Sequence, residues 1–418
     1  MRRFGAAFLD REGSHLTPVH RKVLAALAAC RTPAMGWRLY HCDHCGHTMP
    51  VCNSCCDRHC PTCQAARRAA WLDARREELL PVEYFQVVFT VPEQLHGIAA
   101  AHPRLFYNLL FRAARETLLE VAASPEHLDA QIGGLMVLHT WGQTLQLHPH
   151  LHVIVPGGGL NMGTGSDPLD RCLSPCSEPA RWIACRPGFF LPVEVLSKVF
   201  RGKLLAFLKH EYEAGRMPMT GGLSELSDPR QFNQWLSVLY AKDWCVFVEP
   251  PEDREPEQAL KYLARYTYRV AISNSRLESI EGEGHAGTVT FRYKDYARDG
   301  VWDRMALPGV EFLRRFMQHV LPRGLMRIRS FGFLANRRRA EKLALFRRLL
   351  TRDERPSNPL PDTPPTTPEP TSAEPSEDRS PRCPHCGERA LRLVGETARP
   401  TMASLVVSTY RRRAPDSS

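Results

Sequence analysis

Three groups of residues in this sequence have types and spacings that suit chemistry. Cysteine pairs lie near the N-terminus, a histidine triplet lies near position 150, and a tyrosine pair lies between positions 260 and 270. Cysteine and histidine bind metal ions, and the tyrosine phenol becomes a nucleophile when a neighbouring group activates it. Metal binding and nucleophilic attack are therefore the two kinds of chemistry that the sequence offers.

The cysteine group consists of two C-x-x-C pairs, Cys42 with Cys45 and Cys60 with Cys63. Two such pairs can supply four thiolates to one tetrahedral ion, which predicts a structural zinc site on these four residues. The sequence does not decide between one zinc ion and two, because further donors lie nearby: Cys52, Cys55, Cys56, His41, His44, His47 and His59. The Cys-Pro-x-Cys order at Cys60, without an upstream His-x-Glu, excludes a zinc-dependent base deaminase.

A third C-x-x-C pair, Cys383 with Cys386, lies near the C-terminus. It is half of a zinc site, and it is either completed elsewhere in the chain or inert.

The histidine group is the segment His148-Pro149-His150-Leu151-His152, followed by an apolar run. On a strand, alternation sends His150 and His152 to one face, where two imidazoles can bind one divalent ion. Pro149 suits the start of a strand, which places His148 in the preceding turn. Histidines on a solvated face and a His-x-His zinc hydrolase are the alternatives.

The tyrosine group is Tyr262 and Tyr266, whose i, i+4 spacing puts both phenols on one face of a helix. Arg265 and Arg269 form a neighbouring basic row, and Tyr268 falls off this face. The alternative is a pair of aromatic side chains packed in a core.

The pattern of expected helices and strands around these residues predicts an α+β domain with a largely antiparallel sheet. Two regions ahead of that domain are expected to be helical, residues 1–35 and 65–80. Within it, strands are expected at 84–91, 134–141, 150–155, 244–249, 269–273 and 288–293, and helices at 103–122, 192–214, 231–240, 255–266 and 310–320.

Charge points to a polyanionic partner. Lysine and arginine exceed aspartate and glutamate by 55 to 45, which gives a net charge of +10. The excess is concentrated in residues 310–352, where twelve basic residues, Arg337, Arg338 and Arg339 among them, stand against Glu311 and Glu341. Such a bias suits a surface that follows a phosphate backbone, so nucleic acid is the expected partner.

Composition also sets the expected boundaries and compartment. Residues 353–382 are rich in Pro, Thr, Ser and Glu, which predicts a disordered linker. The expected units are 1–80 (helix and zinc module), 81–350 (catalytic domain), 351–382 (linker) and 383–418 (tail). The sequence has no apolar run long enough to span a membrane, and its cysteine usage is typical of a reducing compartment, so a cytoplasmic protein is expected.

In this order, the motifs resemble the two-tyrosine transposases of the insertion-sequence-91 family, within the His-hydrophobic-His (HUH) endonuclease superfamily. The likeness covers roughly residues 40–340. It is carried by residues 53–64, 88–92, 148–152 with the loop 156–159, 262–267, 270–274, 321–324 and 327–329.

The resemblance implies a ferredoxin-like antiparallel sheet that carries His150 and His152 beside Tyr262 and Tyr266. It implies a bound Mg²⁺ or Mn²⁺, single-stranded DNA of element ends and target as substrate, and a 5′-phosphotyrosine intermediate that needs no nucleotide cofactor. Related sites add a further metal ligand. Gln143 is the expected one, with Gln146 and His148 as rivals.

Two other functions share some of these features. A rolling-circle replication initiator or relaxase would use the same cleavage chemistry at a plasmid origin, and a zinc-dependent DNA-binding regulator would use none. The zinc module ahead of the catalytic domain favours a transposase. The sequence gives no indication of the oligomeric state.

Overall fold

The structure is a computed structural model that describes residues 1–161, 181–249, 256, 271–335, 339–353, 382–401 and 404–405. Its helices are α1 (Gly5–Glu12), α2 (Pro18–Ala29), α3 (Gln64–Arg76), α4 (His96–Ala101), α5 (Pro103–Ala123), α6 (Val193–Glu213), α7 (Pro229–Ala241), α8 (Gly309–Met317) and α9 (Arg339–Asp353). Its strands are β1 (Trp37–Cys42), β2 (Thr48–Cys52), β3 (Tyr84–Thr90), β4 (Gly133–Trp141), β5 (Leu147–Pro156), β6 (Gly158–Asn161), β7 (Arg181–Ala184), β8 (Val246–Glu249), β9 (Leu277–Glu281), β10 (Thr288–Asp295), β11 (Val301–Pro308), β12 (Ile328–Gly332) and β13 (Leu391–Glu396).

Five strands form the central sheet, in the order β12-β4-β5-β3-β8, and every neighbouring pair is antiparallel. β5 lies in the middle, with β4 on one side and β3 on the other. Because side chains alternate along a strand, Leu151 and Val153 enter the hydrophobic core while His150 and His152 face the other way. The α+β class with an antiparallel sheet, as expected from the sequence, is confirmed.

Helices α5 and α6 cover the apolar face of this sheet. Their buried residues recur every four positions, as one face of a helix requires: Phe106, Leu110, Ala114 and Leu118 on α5, and Leu196, Phe200, Leu204 and Leu208 on α6. The rings of Phe200 and Phe89 on β3 lie 4.8 Å apart. Each fully buried Leu or Phe contributes about 1.5–3 kcal/mol, so this layer firmly supports β3 and β5 from behind.

A second sheet, in the order β11-β10-β9, packs with α1 and α8 in a separate core. Phe4 and Phe8 at the start of the chain reach into this core beside Phe312 of α8. A Cβ on Gly309 would lie 2.5 Å from the ring of Phe4, so this position requires glycine. Trp141 at the end of β4 joins the same core and ties the second sheet to the central one.

A third sheet, in the order β13-β1-β2, belongs to the cysteine-rich region. Its strand β13 comes from the far end of the chain and pairs antiparallel with β1. Arg58 docks this region onto the central domain, because its guanidinium donates hydrogen bonds to the carbonyl oxygens of Leu325 at 2.9 Å and Leu321 at 3.0 Å.

The strand expected at 269–273 is absent from its described part, residues 271–273, where Ala271 is buried and has a left-handed backbone φ of 54° that a strand does not tolerate. Most of the helix expected at 255–266, and residues 354–381 of the expected linker, lie outside the described residues. Among the described residues, no helix has both the length and the apolar character needed to cross a bilayer.

Candidate active site and metal centres

Three histidines meet on the open face of the central sheet. His150 and His152 come from β5, and His139 comes from β4, where it pairs directly with His150. Ring centroids lie 4.5 Å apart for His139 and His152, 4.9 Å for His150 and His152, and 5.2 Å for His139 and His150. One ring nitrogen from each lies within 4.8 Å of the others, so the group can hold one metal ion. The three rings are called the histidine group below.

Burial favours the neutral form of the imidazoles of His150 and His152, which is the form that binds a metal. Burial lowers the pKa of His150 to about 4, and it also lowers the pKa of His152, with a further contribution from His150. The Nδ1 of His150 contacts the backbone carbonyl oxygen of His148 at 2.7 Å. As the donor in this hydrogen bond, Nδ1 leaves Nε2 of the same ring available as a ligand atom.

The histidine group opens into a cleft of about 1190 Å³. The other walls come from β3, β8, β10 and the turn between β4 and β5, and include Thr90, Phe247, Glu249, Arg276, Lys294 and Tyr296. Arg276 holds that turn in place, since its guanidinium donates to the carbonyl oxygen of Gln143 at 2.5 Å and to that of Arg292 at 2.7 Å.

The side chain of Gln143, the expected third ligand, already has another contact. Gln143 lines the cleft, but its side-chain oxygen accepts a hydrogen bond from the backbone N–H of Lys294 at 3.4 Å. Gln146 also lines the cleft, and His148 lies within β5 rather than in the turn before it. Pro149 is accommodated because the pairing with β3 stops at His150 and the pairing with β4 is irregular there.

Sequence reasoning missed His139, and the nearest signal was its position in a strand that was expected to precede the histidine triplet. The expected nucleophiles Tyr262 and Tyr266, with Arg265 and Arg269, lie outside the described residues. The same holds for Arg337 and Arg338.

Arg339, expected to contact DNA, is engaged inside the protein instead. Its guanidinium pairs with the carboxylate of Glu78 at 3.0 Å, donates to the hydroxyl of Ser330 at 3.0 Å, and leaves the side chain only 14% exposed. These contacts fasten the start of α9 to the central sheet and to the segment after α3.

Eight of the twelve described cysteines form two groups of four, and this corrects the expected zinc site. Cys60 and Cys63 lie with Cys30 and Cys55, while Cys42 and Cys45 lie with Cys383 and Cys386. In each group the four sulfur atoms lie within 4.8 Å of one another, which suits a tetrahedral zinc ion. The four cysteines that are nearest in sequence are therefore divided between two sites, here called the inner group (30, 55, 60, 63) and the terminal group (42, 45, 383, 386).

The inner group joins the end of α2 to the start of α3. Cys30 follows the last residue of α2, and Cys63 immediately precedes α3. The sulfur of Cys63 lies 3.6 Å from that of Cys30 and 3.7 Å from that of Cys55. The backbone N–H of Cys55 donates to the sulfur of Cys30, and that of Asp57 donates to the sulfur of Cys55, both at 3.5 Å.

Three of the four histidines that were named as further zinc donors, His41, His47 and His59, have other contacts. His59 is buried, and its Nδ1 lies 2.8 Å from the carboxylate of Asp57. The Nδ1 of His41 lies 3.1 Å from the hydroxyl of Thr48, and the ring of His47 stacks on that of His385.

Comparison with known proteins gives consistent results along the chain. Residues 133–342 match the Y2_Tnp family model, described as "Putative transposase", and residues 1–91 match the Zn_Tnp_IS91 model, described as "Transposase zinc-binding domain". No solved structure matches.

Two curated proteins are similar to most of the chain. The "Putative transposase y4qJ" of Sinorhizobium fredii is 47% identical over 349 residues, which cover 84% of this chain and 82% of that protein. The "Transposase for insertion sequence element IS801" of Pseudomonas savastanoi pv. phaseolicola is 27% identical over 345 residues, 79% of this chain and 74% of that protein. The histidine group and the inner cysteine group thus lie in segments that match two transposase models, and the chain belongs to the IS91-type transposase family, with a zinc-binding domain at its N-terminal end.

Proposed function

We propose that this transposase nicks and transfers single-stranded DNA by a rolling-circle mechanism, with Tyr262 and Tyr266 as nucleophiles and a divalent ion on His139, His150 and His152. The observation that carries the proposal is the histidine group itself, three converging imidazoles at the floor of an open cleft. Membership of a transposase family favours element ends over a plasmid origin as the substrate.

The histidine group fits a catalytic rather than a structural ion. Three protein ligands leave coordination positions for water and for a phosphate oxygen, as in other catalytic metal sites. A bound divalent ion would draw charge from the scissile phosphate and stabilise the in-line transition state. Of the two ions expected, imidazole donors favour Mn²⁺ over Mg²⁺, because Mg²⁺ prefers oxygen ligands. His139 replaces Gln143 in this proposal as the third ligand.

The tyrosine chemistry conserves the phosphoester bond. The phenol oxygen of Tyr262 or Tyr266 attacks the phosphorus, the P–O3′ bond breaks, and the leaving 3′ oxygen takes up a proton. The products are a 5′-phosphotyrosine and a free 3′-OH, which can later reverse the reaction on another strand without ATP. With two tyrosines, one can hold the donor strand while the other attacks a second strand.

The tyrosine segment is connected to the cleft. The described chain is interrupted after Glu249 of β8, and both Glu249 and Phe247 line the cleft. In the sequence, Tyr262 and Tyr266 come 13 and 17 positions after Glu249, which supports their assignment to this site.

The mouth of the cleft suits a single strand. Tyr296 lines it with 71% of its surface exposed. On the neighbouring strand pair, exposed Trp302 lies under Lys294 and Arg292, at 5.7 and 5.4 Å from its ring centroid. Exposed rings that stack on bases, next to cations that contact phosphates, are typical of single-strand binding surfaces.

The test is incubation of the purified protein with end-labelled single-stranded terminus DNA and Mn²⁺ or Mg²⁺, followed by denaturing electrophoresis. A covalent protein–DNA adduct is expected. His139→Ala should lower adduct formation by at least about a hundredfold, whereas Gln143→Ala should cost no more than about tenfold. His285→Ala, a change at an exposed histidine that pairs with Asp10, is the control.

Two outcomes would contradict the proposal. If no adduct forms on single-stranded ends under any divalent ion, the tyrosine mechanism fails. If Gln143→Ala is as damaging as His139→Ala, the assignment of the third ligand fails while the mechanism stands.

A further inference from the structure

We propose that Cys42, Cys45, Cys383 and Cys386 form a second zinc site, which fastens the C-terminal end of the chain to the N-terminal module. Two sulfur pairs span the two ends of the chain, Cys42 with Cys386 at 3.7 Å and Cys45 with Cys383 at 3.8 Å. The site uses residues 338 and 344 positions apart, and two of its four ligands lie outside the segment that matches the zinc-binding family model. It does not depend on the nuclease mechanism proposed above.

The two halves of the terminal group have the same local structure. In the first, the N–H of Gly46 donates to the carbonyl oxygen of Cys42, and the N–H of Cys42 donates to that of His47, both at 2.9 Å. In the second, Gly387 donates to Cys383 at 2.9 Å, and Cys383 donates to Glu388 at 2.8 Å. Each half is thus a C-x-x-C-G turn closed in the same way.

Glycine is required at the fifth position of both turns. Gly46 has a φ of 72° and Gly387 a φ of 79°, in the left-handed region that other residues rarely adopt. Two equal turns that face each other and present two sulfurs each are the arrangement of a zinc ribbon. Four clustered thiols gain little from one another as weak hydrogen-bond partners, whereas one Zn²⁺ satisfies all four as thiolates.

Strand pairing holds the same two segments together. β13 pairs with β1 from Arg38 opposite Glu396 to Cys42 opposite Leu391, and Arg392 forms an exposed ion pair with Asp43 at 3.2 Å. Further along, Leu405 packs on Ala29 and Met35, next to Cys55 of the inner group. The tail therefore touches both cysteine groups.

These contacts bury little apolar surface. Leu393 and Val394 of β13 are 45% and 44% exposed, and the cluster around Leu405 contains three buried residues. Since a sheet of this size with a small core is marginal in water, the metal is the main source of stability at this junction.

Zinc stoichiometry of the full-length protein tests the site. Two zinc ions per chain are expected by elemental analysis. Cys383→Ser with Cys386→Ser should reduce the content to one, and so should Cys42→Ser with Cys45→Ser. The quadruple variant should still bind one, because both pairs serve the same ion. Cys52→Ser, a change in the same module but in neither group, is the matched control and should retain two.

Unchanged zinc content after removal of Cys383 and Cys386 would overturn the proposal. If Cys42 and Cys45 shared an ion with Cys60 and Cys63, removing the tail cysteines would leave the zinc content unchanged. One zinc per chain in the unmodified protein would also refute the site.

A second measurement does not depend on how the variants fold. A specific protease site inserted between residues 360 and 375 allows the full-length protein to be cut after purification. The C-terminal fragment should remain bound in the presence of zinc and be released by a chelator. Release of the fragment with zinc present, or retention after complete removal of zinc, would contradict a zinc-held junction.

Discussion

The histidine group and the two cysteine groups are all candidate metal sites, but they are supported in different ways. The histidines project from the middle of a five-stranded sheet, whose opposite face is covered by the large core of α5 and α6. The cysteines lie in turns and at helix ends, beside a cluster of only three buried hydrophobic residues at Ala29, Met35 and Leu405. The packed sheet therefore holds the three histidines in place. In the cysteine-rich region, by contrast, the metal ions are expected to stabilise the fold.

Because of this difference, we expect the ion at the histidine group to contribute to catalysis and the ions at the cysteine groups to contribute to folding. A preformed ligand set can lose its ion and keep its geometry, so the ion is available for chemistry. A set of ligands brought together by the ion contributes its binding energy to folding.

The largest effect is expected at the inner cysteine group. Cys60→Ser with Cys63→Ser should unfold the region from Cys30 to Arg76, because structural zinc sites supply on the order of 10 kcal/mol of apparent folding energy. Circular dichroism and hydrogen exchange with and without chelator measure this, and recognition of the element ends should weaken as well. Cys185→Ser, outside both groups, is the control. If removal of zinc left the hydrogen-exchange protection of this region unchanged, the cysteine groups would not differ from the histidine group in their contribution to folding.

A smaller change in stability is expected at the histidine group. His150→Ala or His152→Ala should cost about 1–2 kcal/mol of unfolding free energy, since the core behind β5 is untouched. Cleavage should nevertheless be lost while DNA binding persists, because the ion acts on the transition state more than on the ground state. Denaturant unfolding, a binding titration and a cleavage assay measure the three quantities. Parallel loss of binding and cleavage would indicate a structural role for these histidines.

The smallest effect on stability is expected at the tyrosines. Tyr262→Phe and Tyr266→Phe remove the phenol oxygen that we propose as the nucleophile and keep the ring, so the thermal midpoint should hardly change. Each single variant should retain some nicking but lose strand transfer, and the double variant should form no covalent adduct. Tyr268→Phe is the matched control and should behave like the unmodified protein. Peptide mapping that placed the adduct on Tyr268, or an adduct in the double variant, would refute the assignment.

Local periodicity made two of the three residues of the histidine group predictable from the sequence. His150 and His152 are two residues apart, and a strand sends such residues to one face whatever its neighbours are. To predict His139 as a member of the group, one would need the register between β4 and β5, including the irregularity between His139 and Trp141. That register is set by packing rather than by local sequence.

The cysteine groups were also only partly predictable, because each group combines residues that are far apart in the sequence. Cys60 and Cys63 were recognised by their spacing, but pairing them with the nearest C-x-x-C motif was wrong, because the structure gives each pair a different partner. A signal did exist for the terminal group, since C-x-x-C is followed by glycine at both Cys42–Gly46 and Cys383–Gly387. Cys30 had no such signal, as an isolated cysteine at the end of a helix.

The pairing of β1 with β13 sets a condition on synthesis. Cys42 and Cys45 leave the ribosome long before their partners, and Cys383 follows Cys45 by 338 residues. At the usual speed of about 5–20 residues per second, the first two thiols wait roughly 20–70 seconds for the other two. A chain that ends early through a stop codon or a frameshift never completes its N-terminal module, so translation to the last strand decides whether that module can assemble.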